Sequence, residues 1–204
     1  LVYINIKGAF MKVCVFGAAS AHIDEIYVTS VEKLCEELAK RGHSLVFGAG
    51  ATGLMGAAAR GFKRGGGYIH GVIPEFFKEE RVEVIYSECD KLTYTANMSE
   101  RKRTMEDDAD AFIIVPGGIG TFEEFFEVLT LKQLGRHNKA ILIYNILNYY
   151  DELEKFMETV ADRKFMNFKC GEMYAYYSDP DKLIESLENY KPGTTHWTEL
   201  KIGE

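Results

Sequence analysis

Residues 111–124 read AFIIVPGGIGTFEE, and this stretch decides the fold. Five apolar residues in a row suit a strand and are too short for a buried helix. A continuous run without alternation is what a strand covered on both faces looks like, as in a parallel sheet. Pro116 and the glycines stop the strand, and apolar residues at helical spacing follow over 122–134. The turn between them holds Gly117, Gly118 and Gly120 around Ile119, more glycine than a tight turn requires. It leaves main-chain N–H groups exposed at the positive end of a helix, which is a site for an anion. Thr121 adds a hydroxyl that serves either a phosphate or the helix cap.

The same alternation extends both ways. Strands are expected at 12–17, 44–47, 68–73, 140–144 and 173–177, and helices at 24–41, 57–64, 98–108, 149–160 and 180–190, the last announced by Ser178-Asp-Pro180. Residues 75–97 carry little pattern beyond a short strand at 82–86. This order predicts an α/β fold, a Rossmann-like doubly wound parallel sheet with helices on both faces. It is read as one domain over residues 11–190, with 1–10 a lead-in and 191–204, around Trp197, a tail without period. Ligands of such sheets bind at the carboxyl ends of strands, where the glycine loops fall.

A second glycine loop, Gly48 to Gly56, repeats the logic at a neighbouring strand end, making Gly50, Gly53 and Met55 candidate ligand contacts. Ser20 closes the first turn, Gly17-Ala-Ala-Ser20, and can donate a hydroxyl. Neither loop has the Walker lysine. The first turn has one glycine where a dinucleotide fingerprint needs three, and Phe47-Gly48 leaves no acid for a ribose 2′-hydroxyl. An NAD dehydrogenase is therefore disfavoured, and a mononucleotide fits better.

Composition narrows the class. The net charge of −7 over 204 residues argues against a nucleic-acid binder. No apolar run approaches the ~20 residues of a membrane span, and the first ten residues lack the features of a signal peptide. The four cysteines are dispersed, with no histidine at ligand spacing, so no metal site or disulfide framework is expected, and the chain reads as cytoplasmic. Cys14 and Cys35 are expected as small buried hydrophobes, and His43 and His137 as structural.

Met98-Ser-Glu-Arg-Lys-Arg103 puts three cations in a row. Alone it would be a solvated helix face, but it lies one helix upstream of the glycine turn and its start can reach the same strand ends. Arg101 can bind an oxyanion bidentately. Glu123 is accounted for by the helix dipole, worth about 0.3–1 kcal/mol. Glu124 beside a phosphate is costly unless it faces another part of the ligand, a sugar hydroxyl or an anomeric centre. Phe125 and Phe126 are expected at a helix–helix dimer contact.

These residues together resemble the LOG ("lonely guy") family, the cytokinin riboside 5′-monophosphate phosphoribohydrolases, long labelled lysine decarboxylase-like. The family signature P-G-G-x-G-T-x-x-E is matched by Pro116, Gly117, Gly118, Gly120, Thr121 and Glu124, and an M-H-x-R-K element by Met98, Arg101 and Lys102. The resemblance runs from Val13 to about Tyr190 and includes the stretch from Gly50 to Gly56, Gly71-Val-Ile-Pro74 and Leu131-Lys-Gln-Leu-Gly135. It implies a homodimer that hydrolyses the N-glycosidic bond of an adenine-type nucleoside 5′-monophosphate, with no metal or organic cofactor. Arg101 and Glu124 would be the catalytic pair. Lys102, Gly118, Ile119, Gly120, Thr121 and Thr130 would line the nucleotide, with Gly117 and Glu123 beside them. An acidic residue after Pro74 would also touch the ligand, with Glu79, Glu80 and Glu83 as equal candidates.

Two departures, Ser99 for the family histidine and Ala18-Ala19 in the first turn, bear on substrate choice. Two other readings stand beside this one. The first is a non-catalytic binder of a nucleotide or phosphorylated cofactor. The second is a decarboxylase, which would need a Schiff-base lysine and a cofactor pocket, neither legible in the sequence.

Overall fold

The structure, a computed structural model, describes residues 10–80 and 83–193. The expected lead-in before Phe10, the tail beyond 193 with Trp197, and the side chain of Glu79 lie outside the described residues. Seven strands, β1 (Lys12–Phe16), β2 (Ser44–Phe47), β3 (Ile69–Pro74), β4 (Lys91–Thr95), β5 (Ala111–Ile114), β6 (Ala140–Tyr144) and β7 (Ala175–Tyr177), form one sheet. Its order is β4-β3-β2-β1-β5-β6-β7 and every pairing is parallel. The helices are α1 (Glu25–Lys40), α2 (Gly53–Gly65), α3 (Glu75–Glu80), α4 (Met98–Asp108), α5 (Ile119–Gln133), α6 (Asp151–Asp162) and α7 (Pro180–Glu188).

The apolar runs follow from a core on each face of the sheet. Val13, Val15, Phe47 and Ile113 pack under α1, α2 and α7. Cys14, Phe16, Phe112 and Ile114 point the other way, under α4, α5 and α6. Both faces of each central strand are dry, so alternation disappears. Phe125, expected at a dimer contact, belongs to this second core at 1% exposure, because it faces the sheet. Its neighbour Phe126 stays on the surface.

The order reverses at β1, which lies between β2 and β5. That reversal opens a crevice at the carboxyl ends of β1 and β5, where doubly wound sheets bind ligands. Gly53, at φ +57°, swings the chain from β2 into α2. A Cβ there would lie 2.4 Å from the Ala18 carbonyl oxygen, so the second glycine loop is seated directly on the first turn.

The two helices that open on glycine loops start earlier than their apolar periods suggest. α2 begins at Gly53 and α5 at Ile119, so the glycines are the helices' own first turns. Residues 75–97, expected to be mostly loop, contain α3 and β4. β4 is an edge strand paired only with β3 and partly exposed, so it lacks the apolar run that marked the covered strands. At six residues α3 is too short to show a period. The strand expected at 82–86 is reduced, among its described residues, to one antiparallel bridge between Gly50 and Ile85.

Candidate active site

The turn after β5 keeps its donors free. Phe122 N–H donates to Gly118 O at 3.0 Å, and Gly118 caps α5 with no side-chain hydrogen bond. The amides of Ile119, Gly120 and Thr121 have no acceptor among the described residues. Gly118 and Gly120 face open space, with nothing within 4 Å of a built Cβ. Thr121 is buried, and a Cβ on Gly117 would sit 2.0 Å from its Oγ1. Its side chain therefore packs beneath the turn, and Gly117 makes room for it. From the other side Tyr149 OH donates to Gly117 O at 2.7 Å, and Tyr150 OH to Val115 O at 2.8 Å.

The second glycine loop differs. Leu54 N–H and Met55 N–H both donate to Ala18 O, at 2.8 and 3.3 Å, and Thr52 Oγ1 donates to Ala19 O at 2.7 Å. The anion logic read from the glycines therefore does not apply to those two α2 amides. A cavity of about 160 Å³ lies between the two turns, lined by Ser20, Ile23, Tyr27, Leu54, Gly118 and Tyr149 among others. Ser20 is exposed on its wall.

Arg101 is 5% exposed. Its Nε donates to Val72 O at 3.2 Å and its Nη2 to Gly48 O at 3.0 Å, which fastens the guanidinium across the ends of β3 and β2. The Phe77 ring of α3 lies 5.5 Å away, within cation–π range. Gly48 is what admits it, since a Cβ at that position would be 1.8 Å from Nη2. Met55 packs over Gly48 and Gly50.

Glu124 faces this arginine from α5 without a direct ion pair. It accepts no hydrogen bond among the described residues, and burial, only partly offset by Arg101, pushes its carboxyl up to about 7. Glu83 comes in from the other side. The segment 83–86 is clipped to the second glycine loop by Ala51 N–H donating to Val84 O at 2.7 Å and Tyr86 N–H to Ala49 O at 2.8 Å. Its Oε2 is buried with no partner among the described residues, 3.1 Å from a Cβ built on Gly50. Burial raises this carboxyl too, against the pull of Arg101. Of the two of these acids whose side chains are described, Glu83 is thus the one beside Arg101, whereas Glu80 is exposed.

Lys102 points elsewhere. Its Nζ donates to the Glu123 carboxylate and lies 2.7 Å from Glu127 Oε2, and these acids raise its pKa. Thr130 is exposed, six residues beyond Glu124 and so about 9 Å along α5. It shares a stripe with Ile119, Glu123 and Phe126 and stays apart from the Arg101 cluster within one chain. Among the described residues no group of histidine, cysteine, aspartate and glutamate has an arrangement that could hold a metal ion.

Reasoning from sequence missed Gly48 and Phe77. Gly48 was legible only as part of a glycine loop, and Phe77 carried no signal at all.

A sequence model for the family described as "possible lysine decarboxylase" matches residues 55–187. The chain is 35% identical over 92% of its length to the cytokinin riboside 5′-monophosphate phosphoribohydrolase LOG5 of Arabidopsis thaliana, covering 81% of that protein. It is 34% identical to a probable enzyme of the same name, LOGL2, from Oryza sativa subsp. japonica, over 92% of this chain and 76% of the relative. In fold it is similar to the molybdenum cofactor carrier protein of Chlamydomonas reinhardtii, with a TM-score of 0.68 at 22% identity over 88% of this chain and 96% of that one. With a family model over more than half of its residues and relatives of this identity over most of their length, the chain belongs to the LOG family.

Proposed function

We propose that this protein hydrolyses the N-glycosidic bond of an adenine-type nucleoside 5′-monophosphate, giving free base and ribose 5-phosphate. The curated relatives carry the name of that activity. One observation carries the reading in this chain. A carboxyl without a hydrogen bond, Glu124, stands beside Arg101, four residues beyond the free amides of the glycine turn. Four residues are about 6 Å of helix, a span that one ribose 5-phosphate bridges.

The 5′-phosphate rests on the amides of Ile119, Gly120 and Thr121, where the α5 dipole favours it, with Ser20 facing it across the crevice. Binding energy from the phosphate fixes the sugar over Glu124. As the bond to the base stretches, positive charge develops at C1′, and the ionised Glu124 stabilises it, as carboxylates do in glycoside hydrolysis. Arg101, fixed by two carbonyls, orients Glu124 and holds it in the ionised form as substrate enters.

Base release from AMP, an N6-isopentenyl AMP and the two matching ribosides tests this by chromatography. Release from the monophosphates alone is the expected result. AMP raising the melting temperature with no release from any of the four would overturn it in favour of a non-catalytic nucleotide binder.

The working form in this proposal is a cytoplasmic homodimer. Free, dispersed cysteines are compatible with a reducing compartment, and no described helix is long and apolar enough to cross a membrane. Ile119 at 89% and Phe126 at 37% exposure place large apolar groups on the outer stripe of α5, beside Lys102, Glu123 and Thr130. Pairing of this stripe with a second copy would bring those polar residues to the nucleotide. Sedimentation velocity is expected to show a dimer that Phe126→Glu converts to monomer; a wild-type monomer at micromolar concentration refutes the pairing.

A further inference from the structure

Glu83 is an acid beside Arg101 that the reaction above does not use, and its surroundings are those of a working group. Its Oε2 is buried without a partner among the described residues. Two main-chain hydrogen bonds hold its segment against the second glycine loop. Arg101 acts electrostatically on both Glu83 and Glu124. A structural carboxylate in such a place would be expected to find a hydrogen bond, since an unmet buried acceptor costs about 1–3 kcal/mol.

Arg101 is the permanent cation that both carboxyls share, and burial raises each of them. Ionising both acids would leave a net negative charge beside an incoming phosphate, and burial favours the protonated form of each, so a proton is held here as substrate enters. Position decides which end needs it. A nucleotide running from the α5 amides, with its ribose at Glu124, continues toward Arg101 and the glycine loop, so its base arrives at Glu83.

We infer that Glu83 is the catalytic acid of the reaction, delivering its proton to the leaving base while Glu124 serves the sugar. This rests on the phosphoribohydrolase reading and adds the missing half of its proton balance. The C1′–N9 bond breaks with its electron pair going to the base, and the Glu83 proton goes to N7 of that ring. The water oxygen bonds to C1′, and its proton passes to the Glu124 carboxylate. Glu83 ends ionised and Glu124 protonated, so the charge of the pair is unchanged. Exchange with solvent then resets both.

The test separates proton donation from a merely positioning role by changing the leaving group. N7-methyl-AMP carries a fixed positive charge on the ring and leaves without needing a proton. Base release by wild type and Glu83→Gln is compared on AMP and on N7-methyl-AMP. The expected result is a loss of about 10²-fold or more on AMP, the usual share of a general acid, with less than about fivefold loss on the methylated substrate. Retained turnover of N7-methyl-AMP also shows that the variant is folded. Equal losses on the two substrates overturn the assignment, as does no loss on AMP. Wild type releasing base from neither nucleotide instead overturns the phosphoribohydrolase reading on which it stands.

Discussion

Glu124→Gln lowers the rate of base release by about 10²–10³, the cost of removing a group that meets developing charge, and at the same time makes the protein more stable at pH 8. The two effects have one origin. The Glu124 carboxyl is raised from its ordinary value near 4.5 to about 7 because it is buried next to Glu123 and Glu127, with Arg101 only partly compensating. The folded protein therefore holds this proton more tightly than the unfolded chain does. The associated stability is complete below about pH 4.5 and is lost as the pH rises through about 7. Glutamine cannot ionise and keeps it. The variant should exceed wild type by about 1–3 kcal/mol at pH 8, allowing for partial exposure. That raises Tm by roughly 2–4 °C per kcal/mol for a chain of this size.

At pH 4 the two proteins should melt together. In the wild type kcat/KM should rise through about pH 7 as Glu124 ionises, and this limb should be absent from the residual activity of the variant. A rate loss below about threefold would remove Glu124 from the chemistry. Equal stability at pH 8 would show that the carboxyl is not strained by its burial.

Gly48→Ala is the second large effect. The added methyl would lie 1.8 Å from Arg101 Nη2 and 2.9 Å from its Cζ, so the guanidinium must leave. The φ of Gly48 is not in the left-handed region, so alanine meets no backbone strain of its own, and besides the arginine only Met55 Sδ, 3.3 Å from the new methyl, must give slightly. Its departure strips donors from the carbonyls of Gly48 and Val72, costing about 1–3 kcal/mol of stability, measurable by urea unfolding. Activity should fall about as far as in Arg101→Ala, by about 10²-fold or more. The double variant should be no worse than Arg101→Ala alone, because both changes remove the same interaction. Additive losses would mean that Gly48 serves the ligand directly. Activity within threefold of wild type would mean that the seat of Arg101 is not needed.

Much of this protein is legible in its sequence. A strand covered on both faces is written locally, as four or five apolar residues in a row in β1, β5 and β6, and six of the seven strands are expected from the sequence. The glycine turn at 117–120 and the helix behind it are also local. Free amides at a helix start follow from three glycines and from the absence of a capping side chain. Arg101 and Glu124 stand out by place: the basic run lies one helix upstream of the glycine turn, and an acid beside an anion site needs another part of the ligand to face. The edge strand β4 and the short α3 escaped, since neither has enough buried residues to leave a period.

What the sequence could not decide depends on pairs far apart in the chain. The two glycine loops look alike in sequence, yet Ala18 O takes two N–H groups at the start of α2, while the amides opening α5 remain free. The place of Glu83 beside Arg101, and the room that glycine leaves at 48, emerge only when the loop after β3 folds back on the loop after β2. Arg101 is held by acceptors 29 and 53 residues away. Local chemistry therefore determined the sheet, the glycine turn with its free amides, and the presence of Arg101 and Glu124 near it. Only tertiary packing decided which donors stay free and which carboxyls share the arginine, because burial and partnership belong to contacts that no local pattern contains.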